Sequence, residues 1–285
     1  MNDVINVKLS NGIDMPIVGF GVFQIADSNK CEQAVLNAIS SGYRSIDTAS
    51  AYFNEEAVGR AIRKCGVPRE ELFITTKLWI QDAGYDNAIT AYETSLNKLG
   101  LEYIDLYLIH QPYGDYYGSW RAMEELYKAG KVRAIGVCNF DADQLTDLII
   151  HNEIIPAVNQ VECHPFFHQK NLLKTMKEHN IIMEAWGPLA QGSRGIWEHE
   201  ALKSIADKFG KSIAQIVLRW HIQRNVIIIP KSIHKERMDN NIQIFDFELS
   251  REDMQRIDEL DTGASTIYDK HDPEFVKTIC SLKVR

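Results

Sequence analysis

Several things are missing from this sequence of 285 residues, and each absence removes a class of protein. Cysteine is sparse: Cys31, Cys65, Cys138, Cys163 and Cys280 are widely spaced, odd in number and never arranged as CxxC. That argues against a disulfide framework or a zinc site, and no metal is expected. Reduced thiols point instead to a cytoplasmic protein. Basic residues are outnumbered, 31 Lys and Arg against 39 Asp and Glu, for a net charge of −8. Nucleic acid and anionic membranes are therefore not expected partners. No apolar run is long enough to span a bilayer. The opening MNDVINVKLSNG lacks the basic and then apolar order of a signal peptide. No Pro-, Gly- or Ser-rich linker and no low-complexity segment divides the chain, so residues 1–285 read as one domain. The GxGxxG that marks a dinucleotide-binding open sheet is also missing.

What is present is regular. The apolar fraction of 45% and charged fraction of 25% are ordinary for a globular protein of a size that buries a core without staples. Val4–Leu9 and Ile13–Val18 flank Ser10-Asn11-Gly12, a hairpin signal because Asn and Gly tolerate positive φ. This hairpin is expected to close the bottom of a barrel. Apolar strand-like runs then alternate with amphipathic helices. Cys31, Val35, Ala38 and Ile39 share one helical face, and Ala88, Tyr92, Leu96 and Leu99 another, stopped by Gly100. A further helix is expected over about Ser119–Lys128. Counting Pro16–Gly21 as the first, the strands are Arg44–Asp47, Leu72–Lys77, Tyr103–His110, Val132–Asn139, Ala157–Val161, Ile181–Trp186 and Val226–Ile229. Eight βα units favour a closed (β/α)8 TIM barrel, an α/β fold whose chemistry sits at the C-terminal strand ends. The tail, Thr262–Arg285, has no clear periodicity; it either folds over the mouth of the barrel or is loosely held.

The stretch Gly42–Gly59, GYRSIDTASAYFNEEAVG, carries the first chemical signal. Asp47 ends a strand, and Tyr52 follows on a small-residue loop. Asn54 before Glu55 and Glu56 suits an N-cap and an acidic first turn. Later strands end in Lys77, His110, Asn139, Gln160 and Trp186, while Gly21 ends the first and Lys231 follows the eighth. Asp47, Tyr52, Lys77 and His110 form a proton-donating set. A phenol is a poor acid near neutral pH, and a neighbouring ammonium lowers its pKa. Asp47 would hold Lys77 charged, and His110 would direct a substrate oxygen to the phenol. The arrangement suits proton delivery to a carbonyl oxygen while a hydride from a cofactor reaches the carbon. Trp186 offers a stacking surface for a nicotinamide, and Asn139 and Gln160 offer amides for its carboxamide. In PKSIHKERMDNN, Lys231 and Ser232 stand where an anion would meet a helix N-terminus, with Arg237 and Asn241 further along. Two cations there favour a 2′-phosphate, hence NADP (NADPH). Each feature also has a plainer reading: an ion pair for Lys77 and Asp47, core packing for His110 and Trp186, and a charged surface helix for the last segment. Their gathering at one edge favours chemistry.

With these residues placed, the whole chain resembles the aldo-keto reductase family, and within it the bacterial group of 2,5-diketo-gluconate and glyoxal or methylglyoxal reductases. GYRSIDTASAYFNEEAVG, FITTKLW, DLYLIHQP and IPKSIHKERMDNNIQIFDFEL carry the resemblance. It implies a tetrad of Asp47, Tyr52, Lys77 and His110 with Tyr52 as general acid. It implies NADP contacts from Gly21, Val22, Asn139, Gln160, Trp186, Gly187, Leu189, Lys231, Ser232, Arg237 and Asn241. Cys138 stands where many members have Ser, and Trp186 where many have Tyr. The histidine at 110 goes with carbonyl reduction. The short loop QPYGDYYGS after it suggests an open pocket lined by Phe23, Tyr52, Trp79 and His110, although Phe23 and Trp79 also read as rim packing. Tyr113 and Trp120 are further candidates for that lining. The expected substrates are small aldehydes, dicarbonyls or ketones, turned over by a monomer. Two rivals stand beside this reading. One is a Schiff-base aldolase using Lys77, which needs that lysine neutral. The other is a non-catalytic NADP-binding subunit of the same fold.

Overall fold

The structure is a computed structural model that describes residues 4–265 and 267–284. Residues 1–3 of the N-terminal segment, and Thr266 and Arg285 of the tail, lie outside the described residues. The chain opens with strands β1 (Asn6–Lys8) and β2 (Asp14–Pro16), an antiparallel hairpin with Val7 opposite Met15. Eight parallel strands follow: β3 (Gly19–Gly21), β4 (Ser45–Asp47), β5 (Phe73–Leu78), β6 (Ile104–Ile109), β7 (Val132–Cys138), β8 (Val158–Glu162), β9 (Ile182–Trp186) and β10 (Ile227–Ile228). They pair in sequence order. The ring closes where Val18 bridges Ile228 and the Ile228 N–H donates to Ile17 O at 3.0 Å. Every residue of β5 and β6 is buried, as befits parallel strands covered by helices.

The first barrel strand is shorter than the sequence pattern predicts. Pro16 belongs to the hairpin, paired with Asn6, and the barrel strand starts at Gly19. One continuous apolar run thus serves two sheets, which composition alone does not divide. The hairpin turn reaches the start of β7, where Asn11 Nδ2 donates to Arg133 O at 2.9 Å. It therefore lies at the end opposite the C-terminal strand tips, and Val7, Leu9 and Met15 are buried.

The helical stripes are where periodicity puts them. Cys31, Val35, Ala38 and Ile39 are buried on α1 (Ser28–Ser40). Ala88, Tyr92 and Leu99 are buried on the helix Tyr85–Leu99, Leu96 is half-buried beside them, and Gly100 caps the helix in the left-handed conformation. The helix expected from Ser119 begins at Tyr116 and runs to Lys128. Asp115 starts it early by accepting the Gly118 N–H at 2.8 Å. The loop after His110 is correspondingly shorter than read.

The aperiodic tail is not loosely held. It carries a helix, Pro273–Ser281, and is tied across the mouth by scattered bonds. Trp79 Nε1 donates to Leu282 O at 2.9 Å, Tyr113 Oη to Lys270 O at 2.7 Å, and Val284 N to Gln81 Oε1 at 2.7 Å.

Candidate active site

Adjacent barrel strands set the polar layer. Asp47 ends β4 and Lys77 lies near the end of β5; both are almost wholly buried. Lys77 Nζ donates to Asp47 Oδ1 at 2.6 Å and to Thr48 O at 2.9 Å, and it stands 3.4 Å from Tyr52 Oη. Tyr52 is half-buried on a short turn, Ser50–Tyr52, which Phe53 ends at φ 57°. Ser50 Oγ donates to Lys77 O at 3.0 Å and ties this turn to β5. The four residues of the expected set therefore do converge. His110 follows β6 and meets the Tyr52 ring edge-on, with centroids 5.5 Å apart. It packs likewise against Trp79 at 5.0 Å.

Asn54 is at the N-cap position of the helix Glu55–Lys64, but its side chain does not cap. It accepts from Thr48 Oγ1 at 2.8 Å and donates to Val22 O at 3.0 Å, bracing the loop that carries Tyr52. Glu55 is not a solvated first-turn acid either. It is buried and accepts from Thr76 Oγ1 at 2.7 Å.

Burial and charge pull the titrating groups in opposite directions. Burial would lower the Lys77 pKa, but the Asp47 carboxylate, with smaller help from Tyr52 and Cys138, more than offsets it and the net direction is up, so the ammonium stays charged. For Tyr52, burial wins over the Lys77 charge and raises the pKa. The sequence reading expected the ammonium to lower it. Lys77 does pull that way, but not enough to offset desolvation. Burial, and then Lys77, lower His110 well below its usual range, which leaves a neutral imidazole.

The residues expected to hold a cofactor fall into two groups. At the eighth strand, Lys231 and Arg237 are exposed and have no acidic partner within salt-bridge reach among the described residues, while Ser232 and Asn241 are buried near them. Such cations before and on the helix Lys235–Ile242 suit an anion. Gly21 lies where an added Cβ would come 2.9 Å from Ile229 O, so only glycine fits between these strands. Val22 is fully buried; its N–H donates to Asp47 O and its carbonyl is taken by Asn54. Gly187, at φ 60°, and Leu189 are half-buried on the loop after β9.

At the other end the amides are already engaged. Asn139, at φ 64°, accepts from Trp186 Nε1 at 2.8 Å and donates to His110 O at 3.1 Å. Gln160 Nε2 lies 2.8 Å from both Asp47 Oδ2 and Glu184 Oε2. Trp186 stacks on Tyr268 of the tail, with centroids 5.8 Å apart and planes within 11°. Tyr268 in turn stacks on Phe275 at 4.5 Å. Phe23 is exposed at the rim and leans on the Tyr52 ring at 4.9 Å. Trp79 forms a buried wall. Tyr268 and Glu184 were not anticipated. The sequence signal for Glu184 was a carboxyl inside the apolar run IIMEAW. Tyr268 had none, because it sits in an aperiodic segment.

A charged amine beneath a proton-bearing phenol is equipment for moving a proton, and the barrel presents it at the end where barrel enzymes work. Comparison with known proteins gives that class a family. The model of the Aldo/keto reductase family matches residues 18–262, and the chain belongs to this family of oxidoreductases. The chain is similar to glyoxal reductase of Bacillus subtilis (strain 168), 52% identical over 255 residues, covering 89% of this chain and 92% of that protein. It is similar to an aldo-keto reductase enzyme from a Medee basin deep-sea metagenome library, with a TM-score of 0.91 at 46% identity, covering 93% of this chain and 98% of the other. The crystal structure of a Bombyx mori aldo-keto reductase in complex with NADP gives a TM-score of 0.89 at 36% identity, covering 95% of this chain and 97% of that one.

Proposed function

We propose that this protein, as a single barrel domain over residues 1–285, reduces small aldehydes, dicarbonyls or ketones with NADPH, and that Tyr52 is the general acid. The observation that carries this reading is the contact of Lys77 Nζ with both Asp47 and Tyr52 at the mouth of an aldo/keto reductase barrel. The similarity to a glyoxal reductase supports the choice of substrate class. Bound NADPH would supply a hydride to the carbonyl carbon. The chain's own residues handle the oxygen. Neutral His110 donates a hydrogen bond to it and sets its direction. Tyr52 gives it a proton, and Lys77 stabilises the phenolate left behind. Asp47 keeps Lys77 charged and in place. Phe23 and Trp79 flank the tetrad, Phe23 against the Tyr52 ring and Trp79 against His110. A charged Lys77 also speaks against the Schiff-base alternative, whose nucleophile must be a free amine. Turnover measured over glyoxals, aromatic aldehydes, keto sugars and keto esters tests the reading. A tight NADPH complex that turns over none of them would favour the non-catalytic binding subunit.

Lys231, Ser232, Arg237 and Asn241 would hold the phosphates, with the unpaired Arg237 on the 2′-phosphate. Arg237→Ala is expected to weaken NADPH by roughly tenfold and NADH hardly at all, the scale of one charge-assisted hydrogen bond. Equal losses for the two cofactors in a fluorescence titration would contradict the assignment. At the nicotinamide end, the cofactor and Tyr268 call on the same indole and amide, so the tail yields when NADPH binds. Tyr268→Ala is accordingly expected to speed NADPH association and tighten it by about two- to tenfold, the scale of one aromatic stack. Stopped-flow quenching of tryptophan fluorescence reads this directly, and slower or weaker binding would show that Tyr268 assists the cofactor instead. All five cysteines are free, and no helix among the described residues is long and apolar enough to cross a membrane.

A further inference from the structure

Glu184 is a buried acid to which proton delivery, as set out above, assigns no task. It lies on β9, two residues before Trp186, in register with Gln160 of β8 and Ile227 of β10, and has no solvent exposure. A carboxyl inside an apolar barrel is costly, and an aliphatic side chain would pack there without that cost. Its hydrogen-bond partner is Gln160. The Gln160 Nε2 group is divided between two acids, 2.8 Å from Glu184 Oε2 and 2.8 Å from Asp47 Oδ2. Glu184 Oε1 is buried without a hydrogen-bond partner. Asp47 turns its other oxygen to Lys77 at 2.6 Å, and Lys77 reaches Tyr52 at 3.4 Å. A continuous line therefore runs Glu184–Gln160–Asp47–Lys77–Tyr52 across the barrel.

We propose that Glu184 is a positioning residue: through the Gln160 amide it holds Asp47 on Lys77, and its own proton decides whether the Lys77–Tyr52 pair faces one buried negative charge or two. This rests on the reading of Tyr52 as the acid. The geometry fixes the first part. Gln160 Nε2 donates to both acids; were the amide turned over, its carbonyl would face the Asp47 carboxylate with no proton between them, so Asp47 sets the amide's direction. Charge fixes the second part. The titratable and charged groups acting on Glu184 are Asp47 from β4, Lys77 from β5 and Cys138 from β7, with the Gln160 amide between; β10 contributes an aliphatic side chain. Burial, and then Asp47, push the Glu184 carboxyl up to about 8. Burial pushes the Cys138 thiol well up, so it stays neutral. Below that value Glu184 is uncharged, and Lys77 balances Asp47 one for one. Above it a second anion shares the same amide and the same ammonium. That anion favours the proton on Tyr52 and makes it a weaker acid.

The test is kcat for carbonyl reduction from neutral to alkaline pH in the wild type and in E184Q, which keeps an acceptor for Gln160 but cannot ionise. The wild type is expected to step down about three- to tenfold as Glu184 loses its proton, with the midpoint near 8. In E184Q that step is expected to vanish; an unchanged step overturns the proposal. Where E184Q fails to fold, infrared difference spectra of the wild-type NADPH complex decide. A protonated-carboxyl band that is lost in parallel with the activity step supports the proposal, and a protein with every carboxyl ionised at neutral pH overturns it. A wild type that turns over no carbonyl would strike the Tyr52 reading instead, leaving the infrared titration to judge Glu184.

Discussion

Tyr52→Phe is expected to lower kcat for carbonyl reduction by roughly a hundred- to ten-thousand-fold, the contribution of one general acid, while NADPH binding stays within about twofold. The substitution removes one hydroxyl. Phe keeps the ring against Phe23 and His110, where Tyr52 now packs at 4.9 and 5.5 Å. The fold is therefore undisturbed and the pocket keeps its shape. What disappears is the proton donor 3.4 Å from Lys77. The high pKa that burial gives Tyr52 does not weaken this argument. An oxygen that is becoming an alkoxide is more basic than a phenolate, so the phenol still transfers its proton downhill. Turnover and a fluorescence titration on the same sample check both halves, and unchanged turnover would remove Tyr52 from its role.

Lys77→Met is expected to have the second-largest effect, and it acts on stability as well as rate. Methionine fills much of the same space but leaves the buried Asp47 carboxylate without its cation. Breaking a buried pair from one side costs about 3–5 kcal/mol, whereas replacing both partners is often close to neutral. The single variant should therefore be slow and thermally weakened. The double variant Lys77→Met with Asp47→Asn should recover much of the lost stability and none of the rate. Thermal unfolding and kcat measured on the pair separate these effects. Full activity in either variant would break the proton-delivery account, and a double variant as weak as the single one would contradict the ion-pair reading.

The parts of the site legible in the sequence are those that follow from strand ends. Asp47, Lys77 and His110 can be placed at one mouth because the parallel strands of a barrel all end on the same side, whatever their separation along the chain. The division of Pro16–Gly21 between hairpin and barrel was not legible, because both sheets use the same kind of apolar residue. Asn54 reads as a cap because local rules favour asparagine there, and it does stand at the N-cap position, yet its side chain is drawn to Thr48 and Val22. Those partners come from other turns of the chain, and no local rule contains them. The stack of Tyr268 on Trp186 joins residues 82 positions apart through a segment with no periodicity. The net direction of the Tyr52 pKa is not legible for a similar reason: the lowering by the charge beside it is readable and holds, but the opposing desolvation is not readable.

The central claim is that this mouth delivers a hydride to the carbon and a proton to the oxygen of one carbonyl group. Turnover of a small dicarbonyl with NADPH carrying deuterium at the transferred position, followed by NMR of the product, tests it most directly. The account predicts one deuterium on the carbinol carbon for each NADPH consumed. An alcohol without the label, or a substrate left covalently joined to Lys77, would contradict it.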